Sequence, residues 1–163
     1  MQAIRLLLTA SFLGPFGFAG LFANGRAPAS ASFQMKTENQ SNMPNSVSTL
    51  LTRNLNDVFG ENDPVRRRKA IDEIFTQDAV FYDPKGGVYR GRDEIDRIAG
   101  QLRVMHRDFR YQPIGEPEEV GNSGRVRWTE GRPGEAPGVA GTDFIITRDG
   151  RIAAIYLFFD KLP

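Results

Sequence analysis

From Ser46 onward the chain carries apolar residues at helical spacing. Val47, Leu50, Leu51, Leu55, Val58 and Phe59 fall on one face, and Gly60 is placed to end the run. A second helix is predicted from Asp63-Pro64, where the acid can cap free amides and the proline fits the first turn; it would bury Val65, Ala70, Ile71, Ile74 and Phe75. Its run Arg66-Arg67-Arg68-Lys69 points in four directions around a helix, with Asp72 and Glu73 one turn on, and reads as a solvated face rather than a basic patch. The period then changes. Residues 79–83 and 88–91 are short β-type runs separated by Pro84-Lys85-Gly86-Gly87, and Asp93–Met105 returns to helical spacing, with Ile95, Ile98, Ala99, Leu102 and Met105 on one face.

The remainder is β by pattern. Strands are predicted over 109–114, 125–132, 142–147 and 152–159, with Asp149-Gly150 as a strong hairpin signal between the last two. Three helices followed by an antiparallel meander, with two short strands before the third helix, define an α+β domain whose helices cover one face of a sheet that must curl around them. The last strand, 152–159, is apolar on both faces. One face can meet the helices and the other calls for a partner, which predicts a homodimer through the outer sheet face.

The front of the chain is of different composition. Residues 1–31 contain no acid and only two bases, Arg5 and Arg26, flanking a mostly apolar run from Leu6 to Ala23, with Ala29-Ser30-Ala31 as a small-residue cleavage pattern. This reads as a secretory signal peptide and a secreted or periplasmic domain. The alternatives are an uncleaved anchor, which Gly14-Pro15, Gly17 and Gly20 disfavour, or an upstream extension of a cytoplasmic protein starting near Met35. Residues 32–45 are polar and aperiodic and read as a linker, so the domain should span 46–163.

Composition narrows the chemistry. The 163 residues include no cysteine and a single histidine, His106, which excludes a disulfide framework, a thiol nucleophile and a multi-histidine metal cluster. With 21 basic and 20 acidic side chains, nothing draws the protein to nucleic acid or to anionic membranes, and no stable membrane span is expected in the mature domain. No cofactor and no metal is expected. What remains is a domain of carboxylates, hydroxyls, Asn, Arg and aromatics.

Several polar residues sit where their neighbours argue for apolar ones. Asn54 lies on the stripe of the first helix, where it is either a core-edge amide bonded to backbone or a ligand-facing group. Asp143 interrupts the β run 142–146, either paired across the sheet with Arg125 or Arg127 or turned inward; Asp83 ends its run before Pro84, as a turn initiator or as a site acid. Alternation places Phe81 on the face of Asp83 and Ile145 on the face of Asp143, so each acid has apolar company if it faces inward. Desolvation raises a carboxyl pKa, so two such acids suit acid–base chemistry beside a carbonyl. Trp128 and Tyr82 are candidate pocket walls, Glu130 shares the face of Trp128, and His106 follows the third helix as a helix-end residue or a ligand contact.

These segments resemble the nuclear transport factor 2-like superfamily, and within it the SnoaL-like group related to polyketide cyclases and ketosteroid isomerases. The resemblance covers about residues 46–161 and is carried by 75–84 (FTQDAVFYDP), by 89–95 (YRGRDEI), by Gly141-Thr142-Asp143 and by 149–156 (DGRIAAIY). It implies a cone of three helices wrapped by a strongly curved mixed or antiparallel sheet, a cystatin-like roll, with a pocket at the open end. It also implies that Asp83 takes the position of the isomerase base, and Asp143 that of the protonated oxyanion-hole acid or of the cyclase acid/base. Asn54 falls where that isomerase carries a tyrosine, and an amide is a shorter and far weaker acid, which argues against a steroid isomerase. The epoxide hydrolases of this fold place an arginine two residues before an acid, where Gly141 stands here. Two readings follow: a cofactor-independent acid–base enzyme of the isomerase, cyclase or lyase kind acting on an apolar carbonyl compound through Asp83 and Asp143, or a non-catalytic domain binding an apolar ligand or a protein. Both give ligand contacts to Asn54, Phe81, Tyr82, Trp128 and His106.

Overall fold

The computed structural model describes residues 46–163; the leader, anchor and linker expectations lie outside the described residues. Helix α1 (Val47–Arg53) starts at Ser46, whose hydroxyl accepts from the Thr49 amide at 3.1 Å. Its continuation, Asn54–Phe59, is π-helical. The wider turn brings Asn54, Leu55, Val58 and Phe59 all to the buried side, which a helix of normal pitch does less readily. Gly60 closes it, because a Cβ there would stand 2.7 Å from the carbonyl oxygen of Leu55.

Helix α2 (Pro64–Ile74) is capped by Asp63, whose carboxylate accepts from the amides of Val65 and Arg66 at 2.8 and 3.0 Å. Ala70, Ile71 and Ile74 are buried as expected, whereas Val65 is exposed because the first turn projects beyond the core. The basic run does point in several directions, but one member departs from the solvated reading. Arg67 is buried and its Nε lies 2.7 Å from Asp96 of α3 (Gly91–Met105), so it ties the two helices together. Helix α3 buries Ile95, Ala99 and Arg103 and half-buries Ile98 and Leu102; Met105, at its end, is exposed.

The described residues form seven strands, β1 (Phe75–Tyr82), β2 (Val88–Arg90), β3 (Arg110–Pro113), β4 (Glu118–Val120), β5 (Ser123–Gly131), β6 (Val139–Arg148) and β7 (Arg151–Phe159). They lie in the order β2-β1-β7-β6-β5-β3, with β4 also on β5. The sheet is mixed, since β1 runs parallel to β7 while the other pairs are antiparallel. Register shifts between Phe75 and Val80 and between Ile146 and Thr147 bend the strands, which is how an open sheet curves over helices. The β6–β7 hairpin turns on Asp149 and Gly150, with φ of 53° and 67°, the geometry that Asp-Gly supplies at least cost. Strand β4 has no apolar alternation and was not expected from the pattern.

The core lies between the helices and the inner sheet face, where Phe81, Ile145 and Ile155 share one register row and Val126, Asp143 and Leu157 the next. An acid therefore occupies a core row.

Candidate functional site

The inner face does not close completely. A cavity of about 320 Å³ remains, with Leu55, Phe59, Phe81, Leu102 and Leu157 among its apolar walls. Into it face Asp83, Lys85, His106, Tyr111, Trp128, Glu130 and Asp143. An apolar pocket of this size with a few convergent polar groups is the usual form of a small-molecule site.

Asp143 is buried, as is Glu130. The Oδ1 of Asp143 accepts from the indole Nε1 of Trp128 at 3.0 Å and its Oδ2 from the amide Nδ2 of Asn54 at 2.9 Å. Burial pushes its pKa up to about 6, against the opposing pull of the Trp128 and Asn54 hydrogen bonds. Such a carboxyl changes charge close to neutral pH, as a general acid or base requires. The cross-strand pairing with arginine is not formed: Arg125 pairs with Glu118 at 2.9 Å and Arg127 lies 3.5 Å from Asp160. Asn54 is fully buried and serves Asp143 rather than backbone, and its Oδ1 has no hydrogen-bond partner.

The neighbouring strand position makes this arrangement possible. Gly141 is the register partner of Trp128, and a Cβ there would lie 2.6 Å from the Trp128 Cζ2 atom. The indole thus occupies the space a side chain would take, and from there reaches Asp143.

A second polar cluster adjoins the first. Glu130, two residues beyond Trp128 on the same face of β5, is buried; its carboxylate lies 3.2 Å from Nδ1 of His106 and 3.7 Å from the guanidinium of Arg103. Tyr111 is the register partner of Glu130 and meets Trp128 edge-on at 5.0 Å. Loss of solvent, with the carboxylates of Glu130 and Asp143 nearby, holds its phenol above the ordinary tyrosine pKa.

Asp83 reaches the same cavity from the β1–β2 turn, but its Oδ1 accepts from the Lys85 amide at 2.8 Å, and its backbone bonds to Gly86 and Gly87. It thus both forms the turn and lines the cavity. Phe81 lines the cavity, packed edge-on to Phe59 at 5.2 Å. Tyr82 is corrected: alternation along β1 turns it to the outer face, where it stacks on Tyr156 at 4.6 Å. Trp128 is more than a wall, since it donates to Asp143. The sequence does not single out Lys85, Tyr111 or Arg103; a tyrosine in a β run and an arginine near a helix end carry no signal that separates them from surface residues. Among the described residues no group of three or more His, Asp or Glu side chains could hold a metal ion.

Comparison with known proteins agrees with this architecture. Residues 52–155 match the family model described as a SnoaL-like domain. No curated protein matches the chain. Among solved structures, a candidate isomerase of the SnoaL-like family from Agrobacterium tumefaciens superposes with a TM-score of 0.66 at 24% identity, over 73% of this chain and 100% of that one. A candidate polyketide cyclase from Sinorhizobium meliloti gives 0.53 at 23% identity, over 73% and 98%. A de novo designed protein with a curved β-sheet also matches, at 0.53 and 15% identity over 68% and 82%, so these likenesses speak for the fold alone.

Proposed function

Because the chain belongs to the SnoaL-like domain family, and so to the nuclear transport factor 2-like fold, we propose that its cavity binds a small, largely apolar carbonyl compound and performs cofactor-independent acid–base chemistry on it. The observation that carries this reading is Asp143: a carboxyl buried among apolar walls, held by two donors and brought to a pKa of about 6. A core has no need of such an acid, whereas an isomerase, cyclase or lyase does. Asp83 is the rim acid, fixed by its turn, that meets the polar end of the ligand. Steroid isomerisation is disfavoured, since Asn54 supplies an amide and not a phenol.

The second reading is a binding domain without turnover, favoured by the structural role of Asp83 in its turn. The outer sheet face is part of the proposal. Phe144 and Tyr156 lie 6.2 Å apart there and Phe158 is 55% exposed, beside arginines already paired within the chain. A neutral apolar face of this kind suits a second copy of itself, and we assign it to a homodimer.

The test is a thermal-shift screen of apolar carbonyl compounds, read together with the fluorescence of Trp128, the only tryptophan in the chain. A ligand at 100 times its Kd stabilises by about 2.7 kcal/mol. Compounds that bind are then assayed for turnover with wild type, Asp83→Asn and Asp143→Asn. Loss of turnover in Asp143→Asn supports the enzyme reading; turnover that survives both substitutions removes these acids from the chemistry, and binding without turnover selects the second reading.

A further inference from the structure

We propose that His106 is the proton-accepting group of this cavity, with Glu130 and Arg103 positioning it. The proposal rests on the reading of the cavity as a ligand site and assigns the base that Asp83 was expected to be.

The imidazole follows α3, lines the cavity and stacks on Phe109 at 4.9 Å. Its Nδ1 lies 3.2 and 3.4 Å from the two oxygens of Glu130, a carboxylate only 4% exposed. An ionised carboxylate can only accept, so this contact selects the ring tautomer with its proton on Nδ1 and leaves a lone pair on Nε2. No described residue is hydrogen-bonded to Nε2. The carboxylate is itself fixed. Arg103, 3% exposed, stands 3.7 Å from it and donates to the backbone oxygens of His106 and Phe109 at 2.6 and 3.0 Å. One guanidinium thus holds both the turn that carries the imidazole and the acid that orients it.

The other acids are less suited to take a proton. Both oxygens of Asp143 already accept hydrogen bonds, and Asp83 spends one oxygen on its turn. In the step we assign, a C–H bond beside the ligand carbonyl breaks, an N–H bond forms at Nε2 and the electron pair passes to the carbonyl oxygen. Glu130 stabilises the imidazolium, which returns the proton to carbon or to a departing oxygen.

His106 is the only histidine, so the ring nitrogens of ¹⁵N-labelled full-length protein without an added tag give one assignable set of signals. The expected spectrum of the neutral ring shows Nδ1 protonated in wild type and reversion to the Nε2-protonated form in Glu130→Leu. The reaction probe is 5-nitrobenzisoxazole, in which loss of the C3 proton to a base makes the nitrile, breaks the N–O bond and frees a coloured phenolate. Wild type is expected to open it, His106→Gln to lose about tenfold or more in kcat with KM little changed, and Glu130→Gln to lose kcat in preference to KM. Where Glu130→Leu does not fold, the wild-type spectrum and His106→Gln decide. An Nε2-protonated neutral ring in wild type overturns the proposal. So does a His106→Gln protein as fast as wild type, or a wild type whose Trp128 fluorescence reports bound probe that is never opened. A Trp128 signal that never responds to the probe, with no turnover, instead counts against the cavity as a ligand site and takes this proposal with it.

Discussion

The indole of Trp128 donates to the carboxylate of Asp143 at 3.0 Å, two strands meeting over the bare backbone of Gly141. The bond and the gap are one feature. A methyl group on residue 141 would stand 2.6 and 2.9 Å from Trp128 ring carbons and 2.9 Å from the backbone oxygen of Phe158, and the last of these cannot swing aside. Gly141→Ala should therefore cost about 1–3 kcal/mol and displace the indole from Asp143. Urea unfolding measures the first effect and the Trp128 emission maximum the second; an alanine variant with unchanged stability and emission contradicts this account of the site.

Asp143 should leave a signature in the pH dependence of stability. Its folded pKa, about 6, lies above the ordinary carboxylate value, so the folded state holds this proton more tightly than the unfolded chain. The resulting contribution is fully present below about pH 4, is lost as pH rises through about 6, and amounts to about 3 kcal/mol across that window. Asp143→Asn removes the titration. Its amide can still accept from Trp128, and it can donate to the unpartnered Oδ1 of Asn54 once that amide turns. The variant should be more stable than wild type at pH 8, and the difference should vanish near pH 4. Thermal melts at the two pH values decide.

How the site came together shows what a linear pattern can and cannot reveal. Asp143 and Asn54 were visible because each is a polar residue on an otherwise apolar face, an anomaly that periodicity exposes. Alternation likewise put Phe81 and Asp83 on one side of β1, and the same rule already sent Tyr82 to the other. The contact of His106 with Glu130 was not visible, since it joins a turn to a strand 24 residues away and depends on the β3–β5 register. In the sequence Gly141 stands out only for the arginine it lacks, not for the indole it admits, because its partner in space comes from another strand. The π-helical stretch was equally hidden: the spacing of Leu55, Val58 and Phe59 fits a normal helix, and only packing reveals the wider turn.

Asn54 should tune Asp143 from a distance of one hydrogen bond. Its amide donates to Oδ2 and so favours the ionised acid. Asn54→Leu keeps the apolar volume of the helix but withdraws the donor, and the Asp143 carboxyl should then titrate above its wild-type value of about 6. Carbon-13 NMR of the side-chain carboxyl follows the titration directly. A midpoint that stays in place or falls in Asn54→Leu is incompatible with the hydrogen bond acting on the charged form.

The outer sheet face yields the last prediction. Tyr82, Phe144 and Tyr156 lie on one register row of β1, β6 and β7, with Phe158 two residues further along β7. Solvent reaches these side chains in the single chain, while the charged residues bordering them on β5, Arg125 and Arg127, have partners in Glu118 and Asp160. Burying this face against its own copy desolvates rings without stranding a charge, which is the condition for an isologous contact. Light scattering after size exclusion should give a dimer at micromolar concentration. Phe158→Glu places two like charges close together across the two-fold axis and should give a folded monomer, while Val104→Glu, on the exposed side of α3, should leave the dimer intact. A wild type that runs as a monomer, or a dimer indifferent to Phe158→Glu, rules this face out as the contact.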